Sequence, residues 1–94
     1  MALQDRAKEY VPLEPVGWGS YVVSGHPCLN VRSEAFLSAG IIHCQLAATI
    51  LMSDGRRVRG GGIEWMHVEL AGTRTWGWAA ERYLALEGNC GAGH

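Results

Sequence analysis

Tyr21-Val-Val-Ser-Gly-His-Pro-Cys-Leu-Asn-Val-Arg32 is the stretch that decides the fold class. Its last four residues alternate, with Leu29 and Val31 apolar and Asn30 and Arg32 polar. That is the period-two pattern of a strand with one buried face. Ser24, Gly25 and Pro27 just ahead mark a bend. Tyr21–Ser24 and Leu29–Arg32 are therefore expected as two short strands.

Working outward toward the N-terminus, residues 2–9 are good helix formers, with Leu3, Ala7 and Tyr10 spaced for one face. Pro12 and Pro15 then impose an extended path through Val11–Val16. Residues 1–19 are read as an arm lying on the domain or on a partner, the alternative being a loosely ordered terminus.

Toward the C-terminus, Ser33–Gly40 is expected as a loop with Phe36 and Leu37 turned inward. Gly40–Leu46 is apolar and β-branched, a third strand. Thr49–Ser53 is a fourth, or a continuation after a bend at Ala47 and Ala48. The run Gly55–Gly62, with Arg56, Arg57 and Arg59, is expected as a mobile hairpin tip. Ile63–Leu70 alternates again, with Met66, Val68 and Leu70 on one face and Trp65, His67 and Glu69 on the other.

Ala71-Gly72 fits a two-residue hairpin loop. That register sets Glu69 against Arg74, His67 against Trp76 and Trp65 against Trp78, all on one face. Ala79–Leu84 follows as a short helical turn, Leu84–Leu86 as a last strand, and residues 87–94 as a Gly-rich tail.

The whole chain sets the bounds. Its 94 residues make one small domain, and 48% hydrophobic composition argues against disorder. Thirteen glycines suit tight turns between short strands. A net charge of −1 gives no electrostatic reason to expect nucleic acid. The arginines at 56, 57 and 59 alone suggest RNA, and they are read as a solvated loop. No apolar run approaches the roughly 20 residues that span a bilayer, so no membrane insertion is expected. The opening residues lack a basic region followed by an apolar one, so no secretory signal is read and a cytoplasmic location is favoured, unless the chain is a piece of a secreted protein.

The sum is an all-β chain of five to six short antiparallel strands. At this length the expected architecture is a small closed or half-closed barrel over residues 20–86, which removes exposed strand edges.

These residues resemble the bacterial-type SH3 domain, SH3b. The resemblance is carried by Tyr21-Val-Val-Ser-Gly, then Leu29-Asn30-Val31-Arg32-Ser33 and Ile41-Ile42-His43-Cys44-Gln45-Leu46. It continues in Trp65-Met66-His67-Val68, Gly77-Trp78-Ala79 and Tyr83-Leu84. The chain departs from the family's usual pattern in three places. Ala48 stands where a glycine is usual, Ala79 replaces a valine, and the Gly55–Gly62 segment is expanded. The resemblance implies an SH3-like barrel acting as a non-catalytic binding module. Such modules hold peptidoglycan peptides beside cell-wall hydrolases or serve as protein–protein modules.

Candidate ligand-binding residues are Trp65, Trp78, Tyr83, Trp76, His67, Asn30 and Arg32. The aromatic set is read as a groove for an extended peptide, because flat platforms recognise segments that lose little entropy on binding. The competing reading is that these rings fill a second small core or pack against the arm. Asn30 and Arg32 either meet a ligand or brace the Ser33–Gly40 loop, and bracing is favoured.

His26, Cys28, His43 and Cys44 have zinc-binding atoms but no metal-ligand spacing, so no metal or other cofactor is assigned. Cys28, Cys44 and Cys90 are an odd set. A Cys28–Cys44 bridge is geometrically reasonable, yet free thiols are favoured without a secretory signal. There is no nucleophile elbow, phosphate loop or convincing acid–base pair, so no enzyme is expected. The functional expectation is a protein-interaction module docking a protein or peptide partner. The alternatives are a peptidoglycan-targeting module and an architectural subunit of a large assembly.

Overall fold

The computed structural model describes residues 10–24 and 27–87. The expected helix at 2–9, His26 and the tail beyond Glu87 lie outside the described residues.

Eight strands form one antiparallel sheet: β1 (Tyr10–Leu13), β2 (Gly19–Val23), β3 (Cys28–Arg32), β4 (Ile41–Leu46), β5 (Ile50–Gly60), β6 (Ile63–Glu69), β7 (Trp76–Ala80) and β8 (Leu84–Leu86). A short 3-10 turn, Glu81–Tyr83, links β7 to β8. The strand order is β4-β3-β7-β6-β5-β2-β8, with β1 added beside β5. The all-β expectation holds. The strand count does not: among the described residues there are eight strands rather than five or six, and β4 and β8 stand unjoined at the two ends of the sheet rather than closing it into a barrel.

Two sequence readings are corrected here. Gly55–Gly62 is not a mobile tip. β5 runs unbroken for 11 residues to Gly60, and the turn is confined to Gly61 and Gly62. Both have positive φ, 63° and 82°, as a two-residue type I′ hairpin requires. The arginines are therefore strand residues with fixed partners. Arg57 Nε donates to Glu81 Oε1 at 3.0 Å, and Arg59 Nη2 donates to Glu64 Oε2 at 2.9 Å.

The arm is also part of the sheet. β1 and β2 run one after the other along the same edge of β5, Tyr10 opposite Gly60 and Val22 opposite Ile50. They part at Glu14–Trp18, where β5 itself is irregular. Between Ser53 and Arg57 the register with β6 shifts, so that Asp54, Gly55 and Arg56 stand across from His67 alone. Gly55, at φ 87°, makes this bulge. A Cβ there would collide with the backbone of Gly17, while Val16 N–H donates to Gly55 O at 3.0 Å. Asp54 and Gly55 thus belong to a bulge within β5 rather than to a hairpin turn.

Side chains on the two sheet faces build two cores. On the inner face Val31, Leu51, Met66, Val68 and Ala79 are buried together, each large one contributing about 1.5–3 kcal/mol. Gln45 is buried at their margin, and its Oε1 accepts the Ala71 N–H at 2.9 Å. On the outer face Val58, Trp65 and Trp78 pack beneath Ala35. Ala35 belongs to the Ser33–Gly40 loop, which is tied at its base by Ser33 N–H to Gly40 O at 2.8 Å. The expectation that Phe36 and Leu37 turn inward is corrected for Leu37, which is 63% exposed, whereas Phe36 is half-buried against Tyr10 and Ala35 is the fully buried residue of the loop.

Candidate functional site

Six of the seven candidate residues share the outer face. Arg32 pairs directly with Trp78, Trp78 with His67, and Trp76 with Glu69, and directly opposed residues point the same way. Asn30 lies two residues from Arg32, and Trp65 two from His67, so they join the same face. Tyr83 reaches it from the 3-10 turn after β7.

The pairing within this face differs from the sequence reading. His67 opposes Trp78, not Trp76, and Trp65 opposes Ala80, not Trp78. The β6–β7 loop spans Ala71–Arg74, closed by Leu70 N–H to Thr75 O at 2.8 Å and by Thr73 Oγ1 donating to Leu70 O at 3.0 Å. A two-residue type I′ loop would need positive φ at Ala71 as well as at Gly72, and only Gly72 has it. The resulting slip is two residues, so every side chain keeps its expected face and changes only its neighbour.

The outer face carries two distinct constellations. The first is an aromatic stack at the β5 bulge. The His67 ring stacks on Trp76 at 4.8 Å and tilts against Trp78 at 4.7 Å. Trp18 meets Trp76 edge-on at 6.0 Å and is itself 72% exposed. His67 Nδ1 pairs with Asp54 Oδ2 at 2.9 Å, and the Arg56 guanidinium lies over Trp78 at 5.7 Å.

Burial raises the Asp54 carboxyl. The Arg56 N–H, the His67 hydrogen bond and the charges of both residues outweigh burial and hold its pKa below the ordinary value. Sequence reasoning missed Asp54 and Arg56 as members of this stack, because a bulge has no reliable one-dimensional signature beyond the glycine at its centre, whereas Trp18 on Trp76 is the packing against the arm that the competing reading described.

The second constellation is a groove of about 270 Å³ between β3 and the end of β7. Asn30, Arg32, Trp65 and Tyr83 meet there, with Leu37 and Cys28 at its border. Trp65 contributes only its floor. It is 1% exposed and its Nε1–H donates to Gly60 O at 3.0 Å, so it is a core residue rather than a stacking platform. Trp78, 8% exposed, is corrected in the same way. Tyr83 is 39% exposed and open to a ligand, with the Arg82 guanidinium 5.1 Å from its ring. Arg32 braces the loop, its Nη1 donating to Ala39 O at 3.0 Å, and also lines the groove.

Cys28 and Cys44 are joined by a disulfide between β3 and β4, with Cα atoms 5.4 Å apart. The expectation of free thiols at these positions is corrected. The bridge follows from register: Asn30 opposes Cys44 and Cys28 opposes Leu46, so the cysteines are diagonal neighbours on one face. It fixes the β3 wall of the groove to the edge strand.

Comparison with protein-family models, with curated proteins and with solved structures found no match to the chain.

Proposed function

We propose that this chain is a non-catalytic binding module of SH3b type that docks an extended peptide segment of a protein partner. The observation that carries the reading is the groove in which Asn30, Arg32 and Tyr83 converge over the floor of Trp65. It combines an apolar bed, one aromatic wall and a few polar groups, the composition of a site that recognises an extended chain. The SH3b part of the proposal draws support from β3, where Leu29 and Val31 are buried and Asn30 and Arg32 are not. It also draws on the step from Tyr83 in the 3-10 turn to Leu84 in β8.

The test is affinity capture of a partner by the wild-type chain and by Tyr83→Ala. The variant replaces a surface ring and is expected to stay folded by circular dichroism while losing the partner. Equal recovery by both proteins would remove the groove from consideration.

Peptidoglycan targeting is the second reading, and the disulfide favours it. Such bridges persist in oxidising, extracytoplasmic settings and are rare in the cytosol. Cosedimentation with purified peptidoglycan separates the two: a chain that stays in the supernatant is not a wall-targeting module.

A further inference from the structure

The groove is a wedge with one closed end. β3 and β7 pair at a single point, Arg32 opposite Trp78. There the strands are pressed together: a Cβ on Gly77 would stand 2.6 Å from Val31 Cγ1 and 2.7 Å from Arg32 O. From that point toward Cys28 and Tyr83 the strands separate, and no further β3–β7 pair occurs among the described residues. On its other edge β3 is laddered to β4 from Cys28 through Arg32. Among the described residues the β3 edge facing the groove is therefore unpaired at Cys28–Asn30, and an extended main chain fits such an edge.

Charge narrows the choice of occupant. Arg32 is the single charged side chain lining the groove among the described residues, and no carboxylate lines it. Its bond to Ala39 O occupies Nη1 and leaves the rest of the guanidinium fork for an anion. Arg32 also stands at the closed end. A chain continuing past it would have to break the Arg32–Trp78 pair, whereas a chain end need not. The volume, about 270 Å³, is at the small end of ligand pockets and suits a terminus rather than a long segment.

We propose that the groove binds the free C-terminal end of an extended peptide, with its terminal carboxylate on Arg32. The peptide enters between Cys28 and Tyr83 and runs in the same direction as β3. Its last side chains lie against Tyr83 and Leu37. This rests on the peptide-docking reading and adds to it the chemistry of the ligand and its polarity.

The experiment uses the full chain and two arrays of the same short random peptides, one with free C-terminal carboxylates and one amidated. Binding is expected on the free-acid array, at least about tenfold above the amidated one. It is expected to fall by at least a similar factor in Arg32→Gln. Because Arg32 also braces a loop, Leu37→Glu serves as the second variant. It changes a surface side chain at the groove's border, places a negative charge there, and is expected to lose the free-acid peptides to a similar extent. Equal binding of amidated peptides, including those with internal acidic residues, would overturn the terminal-carboxylate inference and leave peptide docking standing. Unchanged binding by Leu37→Glu would overturn the assignment to this groove. Binding to neither array would overturn the peptide reading itself.

Discussion

The stack at the β5 bulge and the groove beside β3 occupy the same sheet face and differ in how far they are already satisfied. In the stack each ring has a partner within the chain: His67 has Trp76, Trp78 and Asp54, and Trp78 has Arg56. In the groove Tyr83 is half open, Leu37 is exposed, and Arg32 uses part of its guanidinium on the loop. Aromatic content alone would rank the stack first as a binding surface. The difference teaches that aromatic residues brought together by a sheet first satisfy one another, and that the proposed binding surface lies where β3 and β7 are unpaired.

The largest expected effect breaks the comparison at its shared base. Trp65→Ala removes a buried ring under the groove and is expected to cost about 3–5 kcal/mol, read as a fall in the urea midpoint. Trp78→Ala is expected to fall in the same range. Either variant retaining wild-type stability while losing a ligand would make that ring a contact residue and reverse the assignment made above.

Next comes the groove wall. The Cys28–Cys44 bridge spans a sequence separation of 16, and reducing it is expected to cost about 3 kcal/mol in the chain-entropy model. Unfolding with and without reductant measures this. Alkylation and mass measurement on the unreduced protein should find neither thiol reactive.

Tyr83→Ala sharpens the contrast because it separates binding from stability. A loss of at least about tenfold in affinity, roughly 1.4 kcal/mol, is expected with little change in the urea midpoint. Ala48→Gly acts outside both regions and is a control on the frame. Ala48 holds φ 74°, a left-handed conformation that a non-glycine residue adopts at a cost of about 1–2 kcal/mol. The glycine variant is expected to be more stable by about 1 kcal/mol, with binding unaltered.

The smallest effect belongs to the Asp54–His67 pair. The folded-state pKa of Asp54 is depressed, so its contribution is present above the unfolded value and is lost as pH falls through the folded one. Stability measured from about pH 5 down to about pH 2 should fall for the wild type and fall less for Asp54→Asn. An identical acid limb in both proteins would remove Asp54 from the account of the stack.

Much of the fold was legible because local rules carry it. Alternation marked β3, β6 and their buried faces, and the apolar residues at 29, 31, 66 and 68 are core in the structure. Alternation also placed Asn30, Arg32, Trp65, His67, Trp76 and Trp78 with polar-facing positions, and they share one sheet face. The register was less legible. Ala71-Gly72 read as a two-residue loop, yet a slip of two residues leaves the alternation untouched, so nothing in the pattern distinguished the two pairings. β1 was hidden because an edge strand carrying Pro12 looks like an arm. The start of β5 was legible at Thr49–Ser53, but its continuation to Gly60 was hidden because arginines and glycines on a strand look like a loop until their partners, Glu81 and Glu64, are known.

The sequence by itself determined the all-β class, the two alternating strands that anchor it, and which side chains share a face. All of these follow from the two-residue period of an extended chain. Only the tertiary structure decided which of those side chains are available. Trp65 is covered because the loop at Ala35 folds over it, and a groove opens beside Arg32 because β3 and β7 pair at one point and then separate. Burial and strand spacing depend on contacts between residues distant in the chain, and a local pattern has no term for them.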